Sequence, residues 1–117
     1  MVMAKSATEV RDDFRSKIDA FGETLSITPA GGGSAVNRKA VVRVATYTEL
    51  LTWFDSLELA EFYRPCLMLR CRDDFDQANT ATFARDGITF TIKKQRTVKY
   101  AGTTVCKLVM ATAGSDG

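Results

Sequence analysis

Residues 80–92 read Thr-Ala-Thr-Phe-Ala-Arg-Asp-Gly-Ile-Thr-Phe-Thr-Ile, and this stretch decides the fold class. The dipeptide Asp86-Gly87 lies between two runs in which apolar and hydroxyl side chains alternate. An Asp-Gly pair in this setting favours a two-residue hairpin turn, because both central residues of that turn need positive φ. Ile88, Phe90 and Ile92 fall on one face of the second run, which predicts a half-buried antiparallel strand.

Further segments on both sides of this hairpin also have extended patterns. We predict six strands, at residues 23–29, 38–45, 66–72, 80–85, 88–98 and 103–111. Short polar turns join most of them, which favours antiparallel neighbours. The sequence therefore predicts a mainly β protein, in which closure of the sheet into a small antiparallel β-barrel of about six strands would remove exposed edges.

Two segments have helical rather than alternating spacing. Ser6 and Glu9 form a capping-box pattern before residues 8–21, where an apolar stripe predicts an N-terminal α-helix ended by Gly22. Thr46 and Glu49 repeat the capping pattern before a shorter segment, which predicts a short inserted helix. The two apolar stripes comprise Val10, Phe14, Ile18 and Phe21, and Leu50, Leu51, Phe54 and Leu57.

The whole chain, residues 1–117, is expected to form a single domain with long loops. We predict flexible tails at residues 1–5 and 112–117, and a mobile Gly-rich loop at residues 30–37 that contains Gly31, Gly32 and Gly33. The chain lacks both an apolar signal core near its start and an apolar run of about 18 residues, so we expect synthesis in a cytosol and no membrane partner.

The composition argues against an enzyme. There is no histidine, the usual general acid–base residue, and so no Ser-His-Asp or Cys-His arrangement. The three cysteines, Cys66, Cys71 and Cys106, lack metal-site spacing and are interpreted as small apolar side chains. Asp73, Asp74 and Asp76 do not complete a calcium loop and are interpreted as a solvated loop. We predict no catalytic residue, cofactor or metal.

Two features suggest binding surfaces. Lys93, Lys94, Arg96 and Lys99 form a basic cluster at the end of one hairpin, which either meets phosphate or protects an exposed strand edge. Aromatic residues concentrate in the inserted segment, where they serve either the core or an interface. We expect Trp53 and Tyr63 to lie outside the core, because they fall off the helical stripe; Phe54 and Phe62 complete the interface candidates.

The order of these segments resembles that of a known family. Leu67-Met-Leu-Arg-Cys71, the run from Asn79 to Ile92 and Thr104-Val-Cys-Lys-Leu-Val-Met110 follow one another, and Glu23-Thr-Leu-Ser-Ile-Thr-Pro29 comes directly after the N-terminal helix. This pattern resembles the head–tail joining proteins, also called head-closure or stopper proteins, of long-tailed double-stranded DNA bacteriophages. The resemblance covers roughly residues 8–111 and rests on a succession of strands.

The resemblance implies a role as a structural protein of the virion neck, made in the bacterial host cytoplasm. Such proteins assemble as a ring, usually of six copies, between the portal or adaptor proteins and the tail terminator or tail tube. The ring retains the packaged DNA and docks the tail. The basic residues 93–99 could then line a channel that holds double-stranded DNA, whereas the aromatic segment and Gly31–Gly33 could contact neighbouring copies or partners.

Two other functions remain open. A tail-completion or tail-terminator protein would share ring assembly but contact the tail tube. A small nucleic-acid-binding β-barrel would need surface aromatics interleaved with basic residues on one sheet face, and the basic run contains only Tyr100.

Overall fold

The computed structural model describes residues 5–61 and 63–113, with the side chains of residues 60–64 outside the description. Six strands pair antiparallel into a closed barrel in the order β1-β2-β3-β6-β5-β4. The helices are α1 (Ala7–Phe21), α2 (Tyr47–Trp53) and α3 (Ser56–Glu61). The strands are β1 (Glu23–Thr28), β2 (Val36–Val44), β3 (Tyr63–Arg72), β4 (Thr82–Arg85), β5 (Ile88–Tyr100) and β6 (Thr103–Ala113). The predicted mainly β barrel with an N-terminal helix is confirmed.

The barrel closes where β1 meets β4, through the pairs Ile27–Phe83 and Thr28–Thr82. The predicted turn at Asp86-Gly87 is confirmed: both residues have positive φ, 53° and 79°. Ala101 and Gly102 repeat this geometry, with φ of 50° and 80°, in the turn between β5 and β6. Because such two-residue turns join neighbouring antiparallel strands directly, β4, β5 and β6 form one continuous antiparallel sheet.

The barrel interior is the main core. Leu69, Ile27, Phe90 and Ile92 point inward and are buried, and the rings of Phe83 and Phe90 stack with 5.5 Å between their centroids. Alternate residues of β3 and β6 point outward, where Met68 and Met110 join a second cluster beneath the helical insert. The sheet is thus packed on its inner face and on part of its outer face.

Both predicted capping boxes are confirmed. The Ser6 hydroxyl accepts a hydrogen bond from the Glu9 amide, and the Thr46 hydroxyl accepts one from the Glu49 amide. Each glutamate side chain in turn accepts a hydrogen bond from the backbone amide of the capping residue. The predicted stripe of α1 is only partly a core face: Ile18 is buried, but Phe21, at the last helical position, is 79% exposed. Gly22 ends α1 as expected, with its amide bonded to the Ile18 carbonyl at 2.8 Å.

The predicted short inserted helix is confirmed as α2, and a second short helix, α3, follows it. The Asp55 carboxylate accepts the Glu58 amide at 2.8 Å, and Glu58 in turn accepts the Asp55 amide at 3.1 Å. This capping box starts a new helix at Ser56, after α2 has ended at Trp53. The break turns Leu57 away from the stripe of Leu50 and Phe54, so Leu57 is exposed.

The boundaries of two predicted flexible segments also need correction. Strand β6 runs to Ala113 with Thr112 buried, so the tail predicted at 112–117 loses its first two residues to the sheet. Strand β2 begins at Val36, which pairs with Ile27, so the Gly-rich loop spans residues 30–35 rather than 30–37. Residues 1–4 and 114–117 lie outside the described residues.

Beyond the pairing with β4, strands β5 and β6 continue together as an arm, residues 94–107. Strand β6 stays paired with β3 as far as Cys106, so only the tip of the arm is two-stranded. Strand β5 has 13 residues but pairs with β4 only from Ile88 to Thr91. At about 3.3 Å per residue, a strand of this length extends well past the four-residue β4. The described residues accordingly span 55 × 34 × 23 Å.

Candidate interaction surfaces

The helical insert, residues 47–61, is seated on the outer face of the sheet. Leu50, Trp53 and Phe54 pack with Met68 and Met110 in the second hydrophobic cluster. The prediction that Trp53 lies outside the core is wrong, since only 7% of this residue is exposed, and Phe54 is also buried. In the single chain, both side chains are therefore too buried to form an exposed interface.

The prediction that Trp53 lies outside the core depends on one continuous apolar helical stripe through Leu57. With α2 ending at Trp53, this residue forms the last turn of a short helix and lies over the sheet. Phe62, the other predicted aromatic contact, lies outside the described residues, as does the side chain of Tyr63. Their predicted interface roles stay predictions.

Two of the four predicted channel residues hold the insert in place. Arg96 donates to the Thr52 carbonyl at 3.1 Å and Lys94 donates to the Trp53 carbonyl at 2.9 Å. These carbonyls belong to the last turn of α2, where backbone acceptors lack helical partners and positive charge is favourable. Lys94 and Arg96 thus act as a C-terminal cap supplied by a neighbouring strand.

The same two cations also contact the aromatic rings of the insert. The Arg96 guanidinium lies 4.3 Å from the Trp53 ring centroid, and the Lys94 ammonium lies 5.0 Å from that of Phe54. Lys94 additionally forms an ion pair with Glu58 at 3.3 Å. These contacts explain how a basic run on a strand stabilises a helix that is distant in sequence.

The other two predicted channel residues are oriented differently. Strand β5 has a register shift between Ile92 and Lys94, so Lys93 occupies a β-bulge, and its residue is exposed. Lys99 is exposed near the turn of the arm. The four basic residues therefore do not form one uniform surface: two support the insert, and two face outward.

A groove runs across the outer face of the sheet beside α2. Its floor is apolar and formed by Val41, Met68 and Leu108, and Trp53 forms one wall. Its volume is about 270 Å³, which is room for side chains rather than for a single water molecule. We call this depression the outer groove; Arg43, Glu49 and Arg70 complete its lining.

The charged residues at the outer groove differ in how they are compensated. Arg43 and Glu49 form a bidentate ion pair, which together with the Thr46 amide lowers the pKa of Glu49 from 4.5 to about 2. Arg70 is exposed and lies over the Phe14 ring at 5.9 Å. Among the described residues, no ion pair joins a carboxylate to Arg70, and the charged residues that line the groove sum to one positive charge.

The acidic loop after β3 is tied to arginines. Asp73 pairs with Arg15 of α1 through two hydrogen bonds of 2.7 and 2.9 Å, and this guanidinium lowers the pKa of Asp73. Asp76 forms a similar bidentate pair with Arg38, which lowers its pKa. Asp74 lies 3.3 Å from Arg72. These carboxylates fasten the loop to α1 and β2, a role that composition did not indicate.

The three cysteines are buried and unoxidised among the described residues. Burial raises the pKa of the Cys71 thiol from 9.0 to about 12, and burial also raises the pKa of Cys106. Since the thiolate is the reactive form, these side chains behave as small apolar groups, as predicted from their spacing.

Sequence reasoning missed the exposed apolar residues on and beside the insert. Val44, Tyr47, Leu51 and Leu57 all have more than half of their surface exposed. The pattern Asp55-x-x-Glu58 was the available signal, because a capping box inside an apparent helix marks a new start. The Gly-rich loop, also predicted to contact partners, is exposed, and Gly31, Gly32 and Gly33 all have positive φ.

The fold and these surfaces define a closed antiparallel β-barrel with a helical insert and an arm formed by β5 and β6. The chain matches no protein-family model, no curated protein and no solved structure. Within residues 5–61 and 63–113, no helix has the length and apolar character needed to cross a membrane.

Proposed function

We propose that this chain is a structural component of the neck of a long-tailed bacteriophage, where copies form a ring between the portal or adaptor proteins and the tail. The observation that carries the proposal is the closed six-stranded barrel preceded by an amphipathic helix. This is the architecture that the resemblance of residues 8–111 implies. In that role the chain closes the filled head, retains the DNA and offers a docking surface for the tail.

The distribution of exposed apolar side chains supports an assembly function. The closed part of the barrel has no free sheet edge, so contacts between copies through it come from helices, loops and side chains. Only in the arm does β5 continue beyond its pairing with β4. Val44, Tyr47, Leu51 and Leu57 are concentrated on and beside one helical insert. Apolar residues grouped in this way are typical of protein–protein contact surfaces.

The proposed contact with DNA involves the outward-facing cations. Lys93 and Lys99 are exposed on β5, whereas Lys94 and Arg96 are engaged by the insert. A ring lumen meets DNA of any sequence, so phosphate attraction by a few lysines is sufficient. In this proposal Lys93 and Lys99 face the channel, and Lys94 and Arg96 keep the insert on the barrel.

Imaging and genetics test the proposal together. Particles produced by cells that carry the gene are purified, and the neck is reconstructed by cryo-electron microscopy. We expect a ring of this chain between portal and tail. Deletion of the gene should give filled heads that lose DNA and lack tails, with complementation by the intact gene as the control. Absence of the chain from the particle would overturn the neck role.

A tail-completion or tail-terminator role is the second candidate, because the same barrel and exposed insert would serve a ring at the head-proximal end of the tail. The reconstruction separates the two roles. A ring that remains on free tails purified from a head-deficient mutant supports the tail role, whereas a ring that remains on tailless filled heads supports head closure.

A nucleic-acid-binding barrel is less well supported. Such a barrel needs accessible aromatic rings beside its cations, but Arg96 and Lys94 cover Trp53 and Phe54, which are buried. Titration of the free chain with labelled DNA tests this function. Binding near physiological salt tighter than about 1 μM would favour it, since non-specific binding alone is typically weaker.

A further inference from the structure

The outer groove and helix α3 have complementary properties. The groove has an apolar floor of Val41, Met68 and Leu108, and the cation of Arg70 at its rim. Helix α3 presents an apolar side chain flanked by acids, since residues 55–61 read Asp-Ser-Leu-Glu-Leu-Ala-Glu, with three acidic residues and no basic one. Among the described residues, Arg70 has no carboxylate partner and the apolar floor of the groove is open, whereas α3 offers both an acid and an apolar side chain.

The exposure of Leu57 follows from the seating of α3. Leu59 packs against the second hydrophobic cluster. Residues two apart on an α-helix point about 200° away from each other, so a helix seated through Leu59 must direct Leu57 outward. Leu57 is 80% exposed, the highest value among the exposed large apolar residues of the described chain.

Asp55, two positions before Leu57, can take part in the same contact. Its Oδ1 atom accepts the Glu58 amide, which caps α3, and the residue is exposed. A capping carboxylate keeps acceptor capacity on its second oxygen. It could therefore receive a guanidinium from another molecule without giving up the helix cap.

We infer that the outer groove of one copy binds α3 of a neighbouring copy, with Leu57 on the apolar floor and Asp55 beside Arg70. The contact joins two different surfaces, so it is heterologous and builds a ring or a chain of copies rather than a closed pair. The inference rests on the proposed ring assembly and specifies which surfaces of the ring meet.

The test measures self-association of the free chain. Amide chemical shifts from nuclear magnetic resonance and mass from sedimentation are followed from about 10 μM to about 1 mM, the range in which weak contacts dissociate. We expect concentration-dependent shifts at Leu57 and at Val41, Met68 and Arg70, with masses above two copies at the upper end. A monomer throughout, or a mass that stops at two copies, would overturn the inference.

Substitutions locate the contact. Leu57→Ala should weaken association about tenfold or more, because a buried leucine side chain contributes strongly to an interface. Phe21→Ala is the matched control, since Phe21 is 79% exposed but lies at the end of α1, outside the outer groove and α3, and it should leave association unchanged. Equal effects of the two changes, with both variants folded, would contradict the inferred pairing.

A double-mutant cycle tests the charge pair. Asp55→Asn keeps a good helix cap but removes the charge, and Arg70→Gln removes the cation. Each change alone should weaken association several-fold, and the second change should add little once the first is present. Independent, additive effects would show that Asp55 and Arg70 do not meet.

The two proposals fail separately. A neck ring that forms normally in particles carrying Leu57→Ala would overturn the α3–groove contact and leave the neck role in place. Association through α3 and the groove in a chain that is absent from the particle would overturn the neck role alone.

Discussion

The guanidinium of Arg96 lies over the indole of Trp53, with 4.3 Å between its Cζ atom and the ring centroid. The same side chain donates to the Thr52 carbonyl, in the last turn of α2. One arginine on the arm thus covers the aromatic wall of the outer groove and caps the helix that carries it. The arm and the insert, 44 positions apart in the chain, are therefore one structural unit.

Arg96→Met should loosen the insert without unfolding the barrel. Loss of the cation–π contact and the helix cap should reduce the free energy of unfolding by about 1–2 kcal/mol. Trp53 is the single tryptophan, so its fluorescence reports the insert directly, and we expect emission to shift to longer wavelength. Lys99→Met, an exposed change on the same arm, is the control and should leave the emission unchanged.

Glu49→Gln should lower stability in a pH-dependent way. The glutamine retains a capping-box side chain but loses the ion pair with Arg43. Because the folded pKa is about 2 and the unfolded pKa 4.5, the charged group stabilises the fold fully above pH 4.5, and this contribution disappears as the pH falls towards 2. Arg43 is largely exposed, so we expect a loss of only about 0.5–1 kcal/mol at pH 7.

Urea titrations of both chains at several pH values check this prediction. The two free energies of unfolding should converge between pH 4.5 and 2. A difference that stays constant across this range would mean that the Arg43–Glu49 charge pair contributes nothing.

Gly22→Ala should be more harmful than Gly87→Ala, although only Gly87 has positive φ. A Cβ atom at Gly22 would lie 2.4 Å from the Ile18 carbonyl oxygen and 3.0 Å from that of Ala40, so the junction of α1 with β2 would have to shift. We expect a loss of more than about 2 kcal/mol. At Gly87 the space is open, and backbone strain alone should cost about 1–2 kcal/mol. Thermal unfolding of the two variants, compared side by side, would contradict this order if Gly87→Ala melted at the lower temperature.

Phe90→Ala and Phe21→Ala should differ sharply, although both delete a phenyl ring. Phe90 is 2% exposed and stacks on Phe83 inside the barrel, so its loss should cost about 3–5 kcal/mol. Phe21 is 79% exposed at the end of α1, and its loss should change stability by less than about 0.5 kcal/mol. Comparable destabilisation in chemical denaturation would show that Phe21 packs against the described fold.

The sequence by itself determined the elements whose signals are local. The Asp86-Gly87 turn, the two capping boxes and the alternation of Ile88, Phe90 and Ile92 all depend on residues within a few positions of each other. Their backbone preferences are set by neighbouring residues in the chain, so the helix, the hairpin and the mainly β class could be predicted. The break at Asp55 had a local signal as well, but the apolar spacing through Leu57 concealed it.

Only the tertiary structure decided the roles of side chains that meet across the sheet. Whether Lys94 and Arg96 face solvent or cap α2 depends on where the insert lies. Strand alternation alone does not predict the position of the insert. The outer groove likewise forms from β2, β3, β6 and α2, which are brought together by pairing between strands far apart in the chain. Burial and charge compensation are properties of such assembled neighbours, which is why the sequence indicated a basic run and an aromatic run but not their contact.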